Sequence, residues 1–151
     1  MFGIELEEEA VRCADSLKEK NGLVNMTNIC GKVEDKLPAV LEKERAEKLR
    51  LILDPPRAGI ARSVAFALLA SGIEKLTIIS CNPATLGRDL GILTGRLIEK
   101  DGELVKNPAY ENVAHGETLA GYYEVKTVQP YDMFPQTKHV ETIVCLVRKT
   151  N

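Results

Sequence analysis

Along the chain, apolar and polar positions switch repeatedly between strand-like and helix-like spacing. Phe2-Gly3-Ile4-Glu5-Leu6 is a short apolar run that predicts a buried strand. From Glu7 to about Lys20 the spacing becomes helical, with Ala10, Val11, Ala14 and Leu17 on one face. Asn21-Gly22 ends that segment as a helix C-cap does. Val24 to Cys30 predicts a second strand, and Val33 to Glu47 a charged helix with Pro38 near its first turns or breaking it. Leu49 to Asp54 predicts a third strand, stopped by Pro55-Pro56 because proline lacks an N–H and restricts the residue before it. Ala61 to Ala70 predicts an apolar helix closed by Ser71-Gly72. Leu76 to Ser80 predicts a fourth strand, and Pro83 stands where a first-turn proline opens a helix reaching about Leu93.

Strand followed by helix, four times over, predicts an α/β fold with a parallel sheet, helices on both faces and right-handed crossovers. The pattern changes at Thr94. The stretch 95–121 is polar and turn-rich, and Asp101-Gly102 between two short apolar runs predicts a hairpin insertion. Tyr122 to Val128 and Val140 to Val147 predict two closing strands, antiparallel because no helix joins them. At 151 residues the chain fits one domain.

Composition narrows the function classes. No apolar run is long enough for a transmembrane helix, and no secretory leader opens the chain. The four cysteines, Cys13, Cys30, Cys81 and Cys145, are widely spaced without a CxxC pair, which argues against a zinc site and a disulfide scaffold. No metal site is expected, and unpaired thiols suit a reducing compartment, the cytoplasm. A formal net charge of −2 is unusual for a protein that grips phosphates, so any RNA would be held largely by groups outside this chain.

Ligands of a doubly wound sheet bind at the carboxyl ends of its parallel strands. Four such ends are legible: Glu5, the Cys30-Gly31 region, Asp54-Pro55-Pro56-Arg57 and Ser80-Cys81-Asn82-Pro83. Cys81 stands just before a helix amino terminus, where the dipole favours an anion and so a nucleophilic sulfur. A lone cysteine is more often a buried structural one, and Cys13, Cys30 and Cys145 fit that description better. Asp54 read alone is equally a strand-ending turn residue. His139 and Glu141 share a face at the start of the last strand, which suits either a site or a solvated edge.

Taken in order, three segments carry more information than any one. Asp54-Pro55-Pro56-Arg57-Ala58-Gly59, then Ser80-Cys81-Asn82-Pro83-Ala84-Thr85-Leu86 with Arg88-Asp89-Leu90, then Asp132-Met133-Phe134-Pro135-Gln136-Thr137-Lys138-His139-Val140-Glu141-Thr142 resemble the late motifs of the RNA 5-methyluridine (uracil-C5) methyltransferases. The likeness runs from about Gly3 to Val147, with 95–121 its least familiar stretch.

That resemblance implies a Rossmann-like methyltransferase fold, S-adenosylmethionine as cofactor, and uracil in ribosomal RNA, or second transfer RNA, as substrate. It implies Cys81 as the attacking thiol, Glu141 as the base, Asp54 beside the methionine end of the cofactor and Glu5 on its ribose hydroxyls. It also implies an incomplete fold, since the first strand and its glycine-rich loop would precede Met1. Weak cofactor binding, little activity alone and self-association through an exposed sheet edge are then expected. Two other readings stay open. An amino-group methyltransferase also places an acidic or amide residue before two prolines, but needs an aromatic where Arg57 stands and no nucleophilic cysteine. A non-catalytic Rossmann-like binding module is favoured by the missing glycine loop.

Overall fold

A computed structural model describes residues 1–44, 49–114, 116–137 and 139–150. The chain divides into two compact units, Met1–Arg45 and Ala46–Asn151.

The first unit holds strands β1 (Phe2–Glu5) and β2 (Thr27–Cys30) and helices α1 (Glu8–Lys20) and α2 (Val33–Lys43). β1 and β2 pair in parallel, Phe2 against Thr27 through Glu5 against Cys30. The second strand is shorter than the apolar run from Val24 predicts, and Val24 is almost fully exposed. β1 offers only four residues to pair with, so no ladder remains to hold Val24 in a strand. α1 ends at Lys20 as predicted, with Asn21 as its C-cap. It buries no residue, and Leu37 on α2 is the buried hydrophobic side chain of this unit among the described residues. α2 runs through Pro38, and the predicted end of that helix at Glu47 lies outside the described residues.

The second unit carries the main core. β3 (Arg50–Leu53), β4 (Lys75–Ser80), β7 (Tyr123–Tyr131) and β8 (Glu141–Arg148) form one sheet in the order β3-β4-β8-β7. β3 and β4 are parallel; β8 runs antiparallel to β4 and to β7. The two closing strands are thus antiparallel, as their short connection requires. β7 lies at the sheet edge, where the missing N–H of Pro130 costs least. Helices α3 (Arg62–Ser71) and α4 (Pro83–Leu93) follow β3 and β4. The Asp101-Gly102 signal is realised as a hairpin of β5 (Leu97–Lys100) and β6 (Glu103–Lys106), with both turn residues at positive φ, 53° and 81°.

One face of the β4–β8 ladder is sealed. The directly opposed pairs Leu76–Leu146, Ile78–Val144 and Ser80–Thr142 are all buried. Ile60 from the turn before α3, Val64, Ala65 and Leu68 of α3, Leu86, Ile92 and Leu93 of α4, and Ile73 add to the core. Tyr123 is its largest fully buried side chain, and its hydroxyl donates to the Ile73 carbonyl at 2.7 Å and lies 3.3 Å from that of Leu68. Burial pushes the Tyr123 phenol above its ordinary value, against the opposing pull of Arg148. Tyr123→Phe leaves the shape but orphans the Ile73 carbonyl, so unfolding stability is expected to fall by about 1–2 kcal/mol. A raised folded-state pKa means that this group's contribution is complete below the unfolded value, near 10, and is lost as pH rises through the folded one. The alkaline limb of the stability curve should therefore be shallower in Tyr123→Phe, which urea titrations between neutral and strongly alkaline pH will measure.

Candidate active site at the carboxyl end of the second sheet

β4 ends at Ser80, and the Ser80 side chain is nearly buried. Its Oγ lies 3.3 Å from both the N–H and the carbonyl oxygen of Asn82, closing a tight turn around Cys81. Asn82 caps α4, its Oδ1 accepting from the Ala84 N–H at 3.1 Å, with Pro83 at the first helical position. Cys81 therefore precedes a properly capped helix amino terminus, as the sequence predicts, and its side chain is half-buried.

The antiparallel register brings Glu141 to the same place. Ser80 pairs with Thr142, so Cys81 and Glu141 each stand one residue outward from that pair on neighbouring strands. Glu141 is half-buried and also pairs with Tyr131 on β7. Asp54 follows the last residue of β3, whose partner is Ile78 of β4, and is exposed. Three of the four predicted site residues, Asp54, Cys81 and Glu141, thus stand at one end of one sheet. Glu5 ends β1 in the other unit, exposed, with one carboxylate oxygen accepting from the Glu7 N–H at 2.9 Å.

A cavity of about 320 Å³ opens beside the thiol, lined by Arg57, Cys81, Asn82, Pro83 and His139. A larger, mainly apolar one, about 410 Å³, lies among Phe66, Leu69, Leu97, Ile98 and Tyr122, and contains none of the predicted site residues. Chemistry decides between them, since the smaller holds a thiol nucleophile with a cationic side chain and an imidazole, while the titratable group of the larger is the Tyr122 phenol. His139 precedes the first residue of β8, so its place beside Cys81 comes from the loop and not from strand alternation. Its ring meets Phe134 edge-on at 6.5 Å. Sequence reasoning passed over Arg57 as a site residue, although it closes the Asp-Pro-Pro-Arg motif.

The remaining cysteines correct an expectation. Cys13 and Cys30 are exposed and Cys145 is half-buried, so the first two are not buried structural thiols. The reason is that α1 and the end of β2 cover no core of their own. Cys145 alternates with the sealed face of β8.

A bound methyl donor of the expected kind carries ribose hydroxyls and an ammonium group, both hydrogen-bond donors. Each taken within its own unit, the exposed carboxylates of Glu5 and of Asp54 are acceptors with capacity to spare, chemistry that suits such donors. Among the described residues, no group of three or more His, Cys, Asp or Glu could hold a metal ion. No described helix is long and apolar enough to cross a membrane.

No protein-family model matches the chain. Its sequence is 36% identical over 148 residues to a protein of Clostridium acetobutylicum named an uncharacterized RNA methyltransferase, covering 98% of this chain and 26% of that protein. Similarly named proteins of Enterococcus faecalis and Thermosynechococcus vestitus are 32% and 36% identical, over 98% and 97% of this chain and 27% and 26% of theirs. The chain spans about a quarter of the length of these relatives. Among solved structures, the tRNA (uracil-54, C5)-methyltransferase of Pyrococcus abyssi, in complex with S-adenosyl-L-homocysteine, superposes with a TM-score of 0.65 at 24% identity. That match covers 97% of this chain and 28% of the archaeal one. An rRNA methylase from Streptococcus thermophilus gives a TM-score of 0.55 at 16% identity, over 97% of this chain and 72% of that one. The fold is the Rossmann-like methyltransferase fold.

Proposed function

We propose that this chain, homologous over nearly its whole length to proteins named RNA methyltransferases, is the part of an S-adenosylmethionine-dependent RNA uracil-C5 methyltransferase that carries the nucleophile and the base. The observation that carries the reading is the pairing of Ser80 with Thr142, the last rung of the β4–β8 ladder, from which Cys81 and Glu141 each stand one residue further out. A thiol before a helix amino terminus and a carboxylate across from it are what substitution at uracil C5 needs.

Uracil C5 is a weak nucleophile. In the proposed reaction the Cys81 thiolate adds at C6, forming an Sγ–C6 bond and pushing electron density to C5. S-adenosylmethionine supplies an electrophilic methyl group. With C5 carrying both methyl and hydrogen, the Glu141 carboxylate takes the C5 proton, the ring double bond re-forms and the Sγ–C6 bond breaks. The target base has to leave its stack to reach the thiol. We assign Glu5 and Asp54 to the cofactor's ribose and methionine ends on the chemistry of their carboxylates. Ribosomal RNA is the favoured substrate and transfer RNA the second, in a cytoplasmic setting. Among the described residues β1 and β3 each have one strand neighbour, which supports self-association through an open sheet edge as part of the same proposal.

The test uses RNA containing 5-fluorouridine, with S-adenosylmethionine and protein in excess so that even a slow single turnover is seen. Fluorine at C5 cannot leave as a proton would, so a denaturant-stable protein–RNA adduct mapping to Cys81 is expected. Binding of RNA without any adduct would instead favour the non-catalytic module. Glu141→Gln should form the adduct even with ordinary uridine and release it slowly, with turnover lowered by about 10²–10⁴-fold. Gel electrophoresis of the quenched reaction reads both quantities, and normal turnover in Glu141→Gln would remove Glu141 from the mechanism.

A further inference from the structure

Resting on the reading of Cys81 as the nucleophile, we infer that Asn82, Thr85, Arg88 and Asp89 are positioning residues, which hold Arg57 so that its cation faces the Cys81 thiol. These four side chains lie on one face of α4 and its cap, at helical spacing. Each bonds to the turn after β3. Asn82 Nδ2 donates to the Arg57 carbonyl at 3.0 Å, and Thr85 Oγ1 donates to the same oxygen at 3.1 Å. Arg88 Nη2 donates to the carbonyls of Ala58 at 2.9 Å and Ile60 at 3.1 Å. Asp89 Oδ2 accepts from the Ile60 N–H at 2.8 Å, while its Oδ1 accepts from Arg88 Nε at 2.9 Å.

Apart from the Arg88–Asp89 pair and the bond that Thr85 Oγ1 shares with the Asn82 carbonyl at 3.1 Å, each of these contacts joins a side chain of α4 or its cap to backbone of the 57–60 turn. The turn's path is therefore dictated by the helix that Cys81 introduces. Gly59 fits because nothing larger can: its φ is +81°, and an added Cβ would lie 2.5 Å from both Arg88 Nη2 and Asp89 Oδ2. Meanwhile the Arg57 guanidinium makes no hydrogen bond or ion pair among the described residues, and it lines the same cavity as Cys81. A clamp that grips the backbone and leaves one cation free beside a thiol has an electrostatic use. It sets a fixed positive charge where a sulfur anion must form and where an anionic substrate backbone must approach.

Alkylation of Cys81 by iodoacetate and by iodoacetamide separates charge from access, since the reagents are nearly equal in size and only the first is an anion. Peptide mass spectrometry resolves Cys81 from the other thiols. The iodoacetate-to-iodoacetamide rate ratio at Cys81 is expected to be about threefold higher in the wild-type chain than in Arg57→Gln, and to lose that excess in 1 M salt. The double variant Asn82→Ser/Thr85→Val keeps a capping oxygen but frees the Arg57 carbonyl. It should show the lower ratio, and faster tryptic cleavage after Arg57. Should the double variant not fold, Thr85→Val alone should fall between, with Thr85→Ser restoring the wild-type ratio. Equal ratios in wild type and Arg57→Gln, or a wild-type ratio in the clamp variants, would overturn the inference. Because neither reagent needs methyl donor or RNA, a failed adduct assay with the ratio intact would sink the nucleophile reading alone.

Discussion

In Cys81→Ala, methylation of RNA and the covalent adduct with 5-fluorouridine RNA are expected to disappear together, a loss on the order of 10⁴-fold or more. No other group replaces the sulfur. Addition at C6 is what makes C5 reactive, and among the described residues the cavity beside Cys81 holds no second thiol. Cys13 and Cys30 are exposed in the other unit and Cys145 lies within β8, so alanine at any of these three should leave the adduct intact. The loss should also come without unfolding. Cys81 is half-buried, while the bonds that shape its turn are made by Ser80 and Asn82. A denaturation midpoint within about 0.5 kcal/mol of wild type is expected, as for substitutions that break no packed contact. Quenched single-turnover reactions and urea titration of the same samples measure both. An adduct that persists in Cys81→Ala would end the assignment.

The second large effect is on stability. Asp89 is the buried carboxylate of the core, 1% exposed. Asp89→Ala removes the acceptor of the Ile60 N–H and the ion-pair partner of Arg88 at 2.6 Å. Ile60 is buried, so its N–H would be left without a partner or water. Arg88 is about a third exposed and keeps two carbonyl acceptors, which softens the charge penalty. Together these put the cost at about 2–4 kcal/mol, a large fraction of the 5–15 kcal/mol typical of a folded domain. Asp89→Asn keeps one acceptor oxygen and should lose clearly less. Urea midpoints of the two variants provide the comparison, and an Asp89→Ala midpoint at the wild-type value would mean that the turn is held by other bonds.

Much of this was legible in local sequence. Pro83 marked the start of α4, Asp101-Gly102 marked a hairpin, and the absence of a helix between the last strands implied their antiparallel pairing. Where sequence misled, the missing information was non-local. Val24 continues an apolar run, but a strand exists only where a partner offers backbone groups, and β1 stops short. Cys13 and Cys30 looked structural by residue type, whereas burial depends on what packs over them. Arg88-Asp89 entered only as part of a motif; the fold alone buries its carboxylate against a turn 29 residues earlier.

By itself, then, the sequence determined the order of strands and helices, the capped turn that presents Cys81, and the motifs that carry the family likeness. These rest on backbone dihedral preferences and spacing, which are properties of neighbouring residues. The tertiary structure alone decided that Glu141 and Cys81 come to the same end of one sheet, because a strand register is a choice between segments 60 residues apart, made by the buried pairs Leu76–Leu146, Ile78–Val144 and Ser80–Thr142. It also decided that α4 grips the Arg57 turn, because side chains at helical spacing have bonding partners only once another segment's backbone is brought within reach.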